Sequence, residues 1–385
     1  MPRPSLLVYS HLRWDSVFQR PHHLMTRLAR NWDVWFVEEP ARSATSEIAI
    51  DVRDIAPGLR VCEPRTPVDT PGFNAAPSDA LRPVWQAFCA THVPGRRINW
   101  LYTPMALSLA RAIAVDVTVY DCMDELSAFL HAPPELLDRE HDLLACADLV
   151  FTGGPSLYRA KRNRHPRVHC FPSSVDVAHF AHAIEGREAT EQRTVPRPRL
   201  GFYGVIDERL DLPLLDAMAA ARPQWQIVLV GPVVKIDPAT LPRRPNLHYL
   251  GARSYAELPS YLAGWDVCLL PFARNEATRF ISPTKTLEYM AAGRPIVSTS
   301  IRDVAEPYGE VVLVVDRPAD FVVACERALS EPADERAARA AAMRAIVSHT
   351  SWDTTAAAMR TLIEGMAPGD QTAAAGRVPA AALPA

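Results

Sequence analysis

SPTKTLEYMAAGRPIV, residues Ser282 to Val297, reads as one short helix that stops at a glycine and runs directly into a strand. Ser282 suits an N-cap and Pro283 the first helical position. Leu287, Met290 and Ala291 recur at helical spacing and face a core, and Gly293 followed by Pro295 ends the helix. Lys285 breaks the pattern. It sits in the first turn, at the positive end of the helix dipole, where a cation is disfavoured. Exposed backbone N–H groups and an ammonium at one point make a natural site for a phosphate or diphosphate. Glu288, three residues on, shares that face and could accept hydrogen bonds from a ribose diol. The bland alternative is a surface Lys–Glu pair contributing ~0.2–0.5 kcal/mol.

The same helix-then-strand rhythm runs through the chain. In the first half SLLVYS, DVWFVE, INWLY, DVTVYD, ADLVFT and RVHCFP read as strands, and RPHHLMTRLAR, PMALSLARAIA and PPELLDREHDLLACA as helices between them. RLGFYG, WQIVLVG, NLHYLG, DVCLLPF, RPIVST and VVLVVD repeat the arrangement in the second half. Strands of continuous apolar character belong to parallel sheets covered by helices on both faces. Two such series imply an α/β protein of two doubly wound, Rossmann-like domains with a cleft between them. The polar, proline-containing stretch 183–197 is the expected linker, with domains at 1–182 and 198–345. Residues 43–77 carry many prolines and little pattern, and are expected to form a long loop. The tail 368–385 is Ala, Gly and Pro without apolar periodicity, and disorder is expected there.

Composition bounds the function. The chain has 385 residues, 48% hydrophobic and 22% charged, with a net charge of -3. That balance fits a globular protein and argues against a nucleic-acid binder working by bulk electrostatics. Seven scattered cysteines without Cys-x-x-Cys spacing read as thiols in a reducing compartment. No apolar run reaches the ~18 residues of a membrane span, and the N-terminus lacks the features of a signal peptide. The expected address is the cytoplasm.

LGFYGVIDERLDLPLLDAMAAA adds a second phosphate-site candidate, a strand, a glycine turn and a helix capped by Asp211. Gly204 would let a phosphate approach the backbone, and Arg209 could add charge. Any βα turn favours glycine, so this segment alone is weak. Together with the lysine helix it suggests a nucleotide diphosphate held between two helix N-termini.

At this point the sequence resembles the GT-B glycosyltransferases, specifically the large retaining group that uses nucleotide sugars. GFYGVIDERLD, VLVGPV, NLHYLGARSYAELPSYLAGWDVCLLPF and above all SPTKTLEYMAAGRPIVS carry the resemblance. VHCFPSSVDVAHF is similar to the family's interdomain segment, and HTSWDTT to the closing signature of a helix, here 346–367, that crosses back to the first domain. The resemblance implies GT-B architecture and sugar transfer with retention to a cell-surface polysaccharide or glycolipid. It implies no cofactor and no metal, the nucleotide-diphosphate sugar being a substrate. It places Glu288 on the ribose hydroxyls, as the second Glu of a Glu-x7-Glu motif whose first position is Phe280 here. Arg279, Ser282 and Thr284 then become candidates for donor contacts. Arg209 and Lys285 replace the family's basic groups on the diphosphate, and the base is expected along Gly251, Ala252 and Arg253. Two other readings stay open: a nucleotide-sugar epimerase of the same fold, and a non-catalytic sugar-nucleotide-binding partner in polysaccharide assembly.

The first domain supplies the acceptor candidates. His11 follows the first strand, in a loop expected to face the cleft, and is either a site residue or a satisfied structural histidine. Trp14, Phe18, Arg27 and Arg30 form a basic and aromatic edge. It suits a glycan or lipid-linked acceptor and peripheral contact with the inner face of a membrane, or else is a solvated helix face. Asp121, Asp124 and Glu125 lie just beyond a strand end, where carboxylates could orient an acceptor hydroxyl, act as base, or cap the next turn. Gly153-Gly154 reads as a flexible turn with Ser156 as the following cap.

Overall fold

In a computed structural model, residues 3–70 and 72–366 are described; the expected disordered tail at 368–385 lies outside them. The first domain is built on a nine-stranded sheet. Its strands are β1 (Ser5–Tyr9), β2 (Asp33–Val37), β3 (Ala41–Arg42), β4 (Ala49–Ala56), β5 (Leu59–Thr66), β6 (Arg97–Leu101), β7 (Val117–Cys122), β8 (Leu149–Thr152) and β9 (Val168–Cys170). Their order is β3-β5-β2-β1-β6-β7-β8-β9, with β4 antiparallel on β5 and every other pairing parallel. The second sheet has β10 (Arg199–Tyr203), β11 (Gln226–Val230), β12 (Leu247–Tyr249), β13 (Val267–Leu270), β14 (Ile296–Thr299) and β15 (Leu313–Val315), all parallel, in the order β12-β11-β10-β13-β14-β15.

Both sheets are doubly wound, and their winding reverses at β1/β6 in the first, where β5 also inserts between β2 and β3, and at β10/β13 in the second. Ligands of open α/β sheets bind beyond the carboxyl ends of the strands at such reversals. One apolar core fills the second domain, and two more cover the two faces of the first sheet. The last helix, Trp352–Glu364, does not pack on the second domain. Trp352, Ala356, Met359 and Ile363 join Leu24, Met25 and Leu28 under the first sheet, and the Trp352 ring stacks on His23 at 4.6 Å. All seven cysteines are free. Among the described residues no helix is long and apolar enough to cross a membrane.

The loop expected over 43–77 is corrected by β4 and β5, a hairpin turned at Pro57-Gly58 with Gly58 at φ +76°. Helix Ala75–His92 then follows, burying Leu81, Trp85 and Cys89. The turn dipeptide and the apolar alternation of LRVCEP were the available signals. The prolines masked them: Pro64 lies within β5, and Pro83 inside the helix.

Candidate functional site

The lysine helix runs from Thr284 to Ala291. Its end is as the sequence implies. Gly293 takes φ +64°, and the Gly293 and Arg294 N–H groups donate to the carbonyls of Met290 and Tyr289. This is the left-handed glycine stop that satisfies the last carbonyls. Its start differs. Pro283 holds the N-cap position without a side-chain cap, and Ser282 instead offers its carbonyl to the Ser173 hydroxyl at 2.9 Å. The orphan N–H groups of the first turn are thereby left without a capping side chain.

Lys285 projects from that turn onto Gly204, at the end of β10. A Cβ at residue 204 would stand 2.2 Å from the lysine Cε and 2.7 Å from its Nζ. Gly204 also takes φ +134°, which side chains rarely adopt. The glycine is therefore required twice, by its backbone and by the room it leaves for the amine. Among the described residues the ammonium makes no hydrogen bond or ion pair, and its nearest ring is Phe202, 5.6 Å away. Burial pushes the Lys285 pKa down, and Arg209 adds to this while Glu288, Asp207 and Asp124 oppose it. Gly204→Ala is expected to strain the turn by about 1–3 kcal/mol and to evict the amine. Affinity for a nucleoside diphosphate should fall about tenfold or more by calorimetry; unchanged affinity would remove Lys285 from the site.

Glu288 lies one turn further on and is buried. Its carboxylate accepts from the Tyr203 hydroxyl at 2.5 Å, while the Tyr203 N–H donates to the Tyr289 hydroxyl. Burial raises the Glu288 pKa, held back by Tyr203 and Lys285. Arg209 is fixed by a two-pronged pair with buried Asp207, Nη2 to Oδ2 at 2.7 Å. Its guanidinium lies 5.5 Å over the ring of Phe129, a first-domain residue that Lys235 also covers at 5.1 Å.

Across the gap the first domain contributes Asp124, Arg20, Gln19 and Phe18. Burial raises the Asp124 pKa, with Arg209, Arg20, Lys235 and Lys285 acting against it. Its carboxylate has no hydrogen-bond partner among the described residues, so it faces several cations with its acceptor capacity free. The cavity enclosed is ≈ 140 Å³, and Gly204, Arg209, Ser282, Thr284, Lys285 and Glu288 all line it beside Asp124. Four rings close one side. Phe18 stacks on His22 at 4.8 Å and on Tyr255 at 4.4 Å, and Tyr255 stacks on His179 at 4.2 Å. The Tyr255 hydroxyl is buried and has no partner among the described residues.

The structure corrects several expectations. Asp121 is fully buried and bound to Arg20 through two hydrogen bonds, 2.8 and 3.1 Å, so it is not free to meet a substrate. The Arg253 side chain grips Glu191 at 2.7–3.0 Å and the Tyr261 hydroxyl, outside the cavity, which leaves only its backbone for the expected base contact. Arg279 pairs with Glu276 and lies over the Phe280 ring, in a different cavity. Ser156 caps nothing with its side chain. Asp303 reaches over from the second domain, accepting from the Ser156 N–H and hydroxyl. Gly153 and Gly154 are tightly packed: a Cβ on either would fall within 2.5 Å of Met123 or Asp303. Arg27 and Arg30, expected on a basic edge, both bind Asp353 of the last helix. Glu125 is held by buried Lys161. His11 is half-buried at the end of β1. Burial and Lys235 lower its pKa to about 4, and its Nδ1 has no partner. It does not line the cavity.

Tyr203, Tyr255, Ser173 and Asp303 were not anticipated. Tyr203, Tyr255 and Ser173 lie inside stretches that carried the family resemblance, whereas Asp303 had no sequence signal.

Comparison with known proteins agrees with this geometry. Residues 197–331 match the model of the family described as Glycosyl transferases group 1. TuaH of Bacillus subtilis (strain 168), named as a teichuronic acid biosynthesis glycosyltransferase, is 25% identical over 279 residues, covering 66% of this chain and 69% of that one. Sucrose-phosphate synthase from Thermosynechococcus elongatus superposes with a TM-score of 0.72 at 18% identity, over 94% of this chain and 98% of that one. A trehalose-6-phosphate structure from E. coli, bound with UDP-2-fluoro glucose, gives 0.71 at 12% identity, over 94% and 100%. The chain has the GT-B fold, and over residues 197–331 it is similar to the glycosyl transferases of group 1.

Proposed function

We propose that this glycosyltransferase moves a sugar, with retention, from a nucleotide-diphosphate sugar to a cell-envelope glycan or lipid-linked acceptor. The observation that carries the reading is the partnerless Lys285 amine seated against Gly204 at an uncapped helix N-terminus. Charge accumulates on the departing diphosphate during glycosyl transfer, and donors fixed in advance supply the largest catalytic contribution. In this reading Lys285, Arg209 and the free N–H groups of Thr284 and Lys285 carry that charge without a metal. Glu288 takes the ribose hydroxyls. Asp124 receives the acceptor hydroxyl, with His11 further along the same strand ends. The named role of the Bacillus relative supports a polysaccharide destination. Work at the cytoplasmic face of a membrane, by peripheral contact, belongs to the same proposal.

The cavity is smaller than the ~300–1,000 Å³ of ordinary ligand sites. Donor entry therefore calls for the Phe18–Tyr255 stack to part and close again, which would also keep water from the activated sugar.

The test incubates the protein with a panel of radiolabelled nucleotide sugars and membrane extract. Label in lipid or polysaccharide, with the anomeric configuration of the donor kept by NMR, is the expected result. Label found only in an altered free nucleotide sugar would sink the reading. Glu288→Gln refines it. Glutamine still accepts from Tyr203, so melting should change little. Losing a charged acceptor for the ribose costs about 1.5–3 kcal/mol, or roughly tenfold and more in nucleotide affinity. A variant that melts early but binds nucleotide normally would make Glu288 structural.

A further inference from the structure

A second cavity of ≈ 610 Å³ opens on the outer side of the domain seam. It lies between the loop after β13, the start of the helix after β14, and helix Pro155–Lys161 of the first domain. Four guanidinium groups line it, those of Arg159, Arg274, Arg279 and Arg302, against one carboxylate, Glu276. All four are paired, but at the surface. Arg159 and Arg302 share Glu306 at 2.7 and 2.6 Å, Arg274 holds Asp316 at 3.0 Å, and Arg279 holds Glu276 at 3.3 Å. Exposed pairs of this kind contribute little and exchange readily for another carboxylate. The Nε of Arg159 is also buried without any partner.

Phe280 lies in the middle of this surface. Arg279 covers its ring at 5.1 Å, and Phe280 and Glu276 also border a neighbouring cavity of ≈ 430 Å³, where Glu125, Glu140 and Glu276 outnumber Lys161 and Arg164. The Arg-lined cavity is the larger of the two and forms a groove with room for part of an extended chain. Guanidinium forks match carboxylates two-pronged. We infer that this groove binds an anionic glycan chain, its uronate carboxylates exchanging into Arg159, Arg274, Arg279 and Arg302. The inference rests on the glycosyltransferase reading only for the chain being acceptor or product; binding itself needs no turnover.

Calorimetry of the full chain with tetragalacturonate and with its fully methyl-esterified form tests it. Wild type should prefer the free acid at least about tenfold. R274Q/R279Q, both at exposed positions, should lose that preference while binding of UDP stays unchanged. Equal affinity for acid and ester, an unaltered preference in the double variant, or tighter binding of a single-stranded oligonucleotide of equal charge would each overturn it. A wild type that binds the acid but no nucleoside diphosphate supports the groove and overturns the donor site.

Discussion

Lys285→Ala lowers kcat/KM for sugar transfer by roughly 10²–10³-fold, the loss that follows removal of one preorganised charge-stabilising donor. Its melting temperature stays level or rises. Burial disfavours the ammonium and outweighs the attraction of Glu288, Asp207 and Asp124, so deleting it removes a cost and breaks no hydrogen bond among the described residues. The same asymmetry fixes the pH dependence. The folded-state pKa is depressed, so above it the unfolded chain binds more protons than the native one. Wild-type stability therefore rises relative to Lys285→Ala as pH climbs from that depressed pKa through the unfolded value of 10.5. Diphosphate, by contrast, favours the charged amine, so its affinity falls over the same climb. Activity retained within tenfold, or a clear drop in melting temperature, would show that Lys285 serves the fold.

This separation of stability from function rests on residues whose partners lie elsewhere in the chain, and there the sequence becomes hard to read. All twelve apolar runs form strands, most of them because burial on both faces imposes a local pattern, while the edge strands β9, β12 and β15 are only half-buried. Gly293 was legible for the same reason, since the stop is made by neighbours in sequence. Ser282 looked like a cap on local rules alone, but Ser173, 109 positions earlier, claims its carbonyl. Arg253 and Arg279 were drawn toward the donor by the resemblance. Glu191, 62 positions earlier, fixes the first and nothing in the spacing announces it, whereas Glu276 fixes the second from three residues away, a local pair that the resemblance overrode. Lys285 and Gly204 were each visible, as a charge out of place and as a glycine after a strand. That one occupies the space the other leaves could be seen only in the fold.

Phe280 shows a different limit. An acid was expected there, and an aromatic residue read as a loss. The ring instead packs toward a core of the first domain and carries Arg279 on its other face. Phe18 and Tyr255, Asp303 and Ser156, and Phe280 thus each join the two domains on different sides of the cleft. Movement between domains must break or slide these contacts, which places the ring stack, already on the cavity wall, as the one that donor entry disturbs most directly.

Asp121 is where a catalytic and a structural reading predict opposite results. Its carboxylate and the Arg20 guanidinium are both nearly inaccessible, and Arg20 has one further bond, to the Phe171 carbonyl at 2.7 Å. Asp121→Ala leaves a buried cation that this carbonyl cannot neutralise. Breaking such a pair from one side costs about 3–5 kcal/mol. At about 2–4 °C per kcal/mol for a domain of this size, melting should fall by roughly 6–20 °C. Replacing both partners, as in Asp121→Ala with Arg20→Met, removes the stranded charge and should recover much of the loss. Arg20 also lines the donor cavity, so the double variant is read by melting, not by turnover. Were Asp121 a base, the single variant would melt like wild type and lose kcat alone. The bidentate geometry and complete burial favour the first outcome, with Asp124, three residues on and free to accept, left as the carboxylate that meets the acceptor.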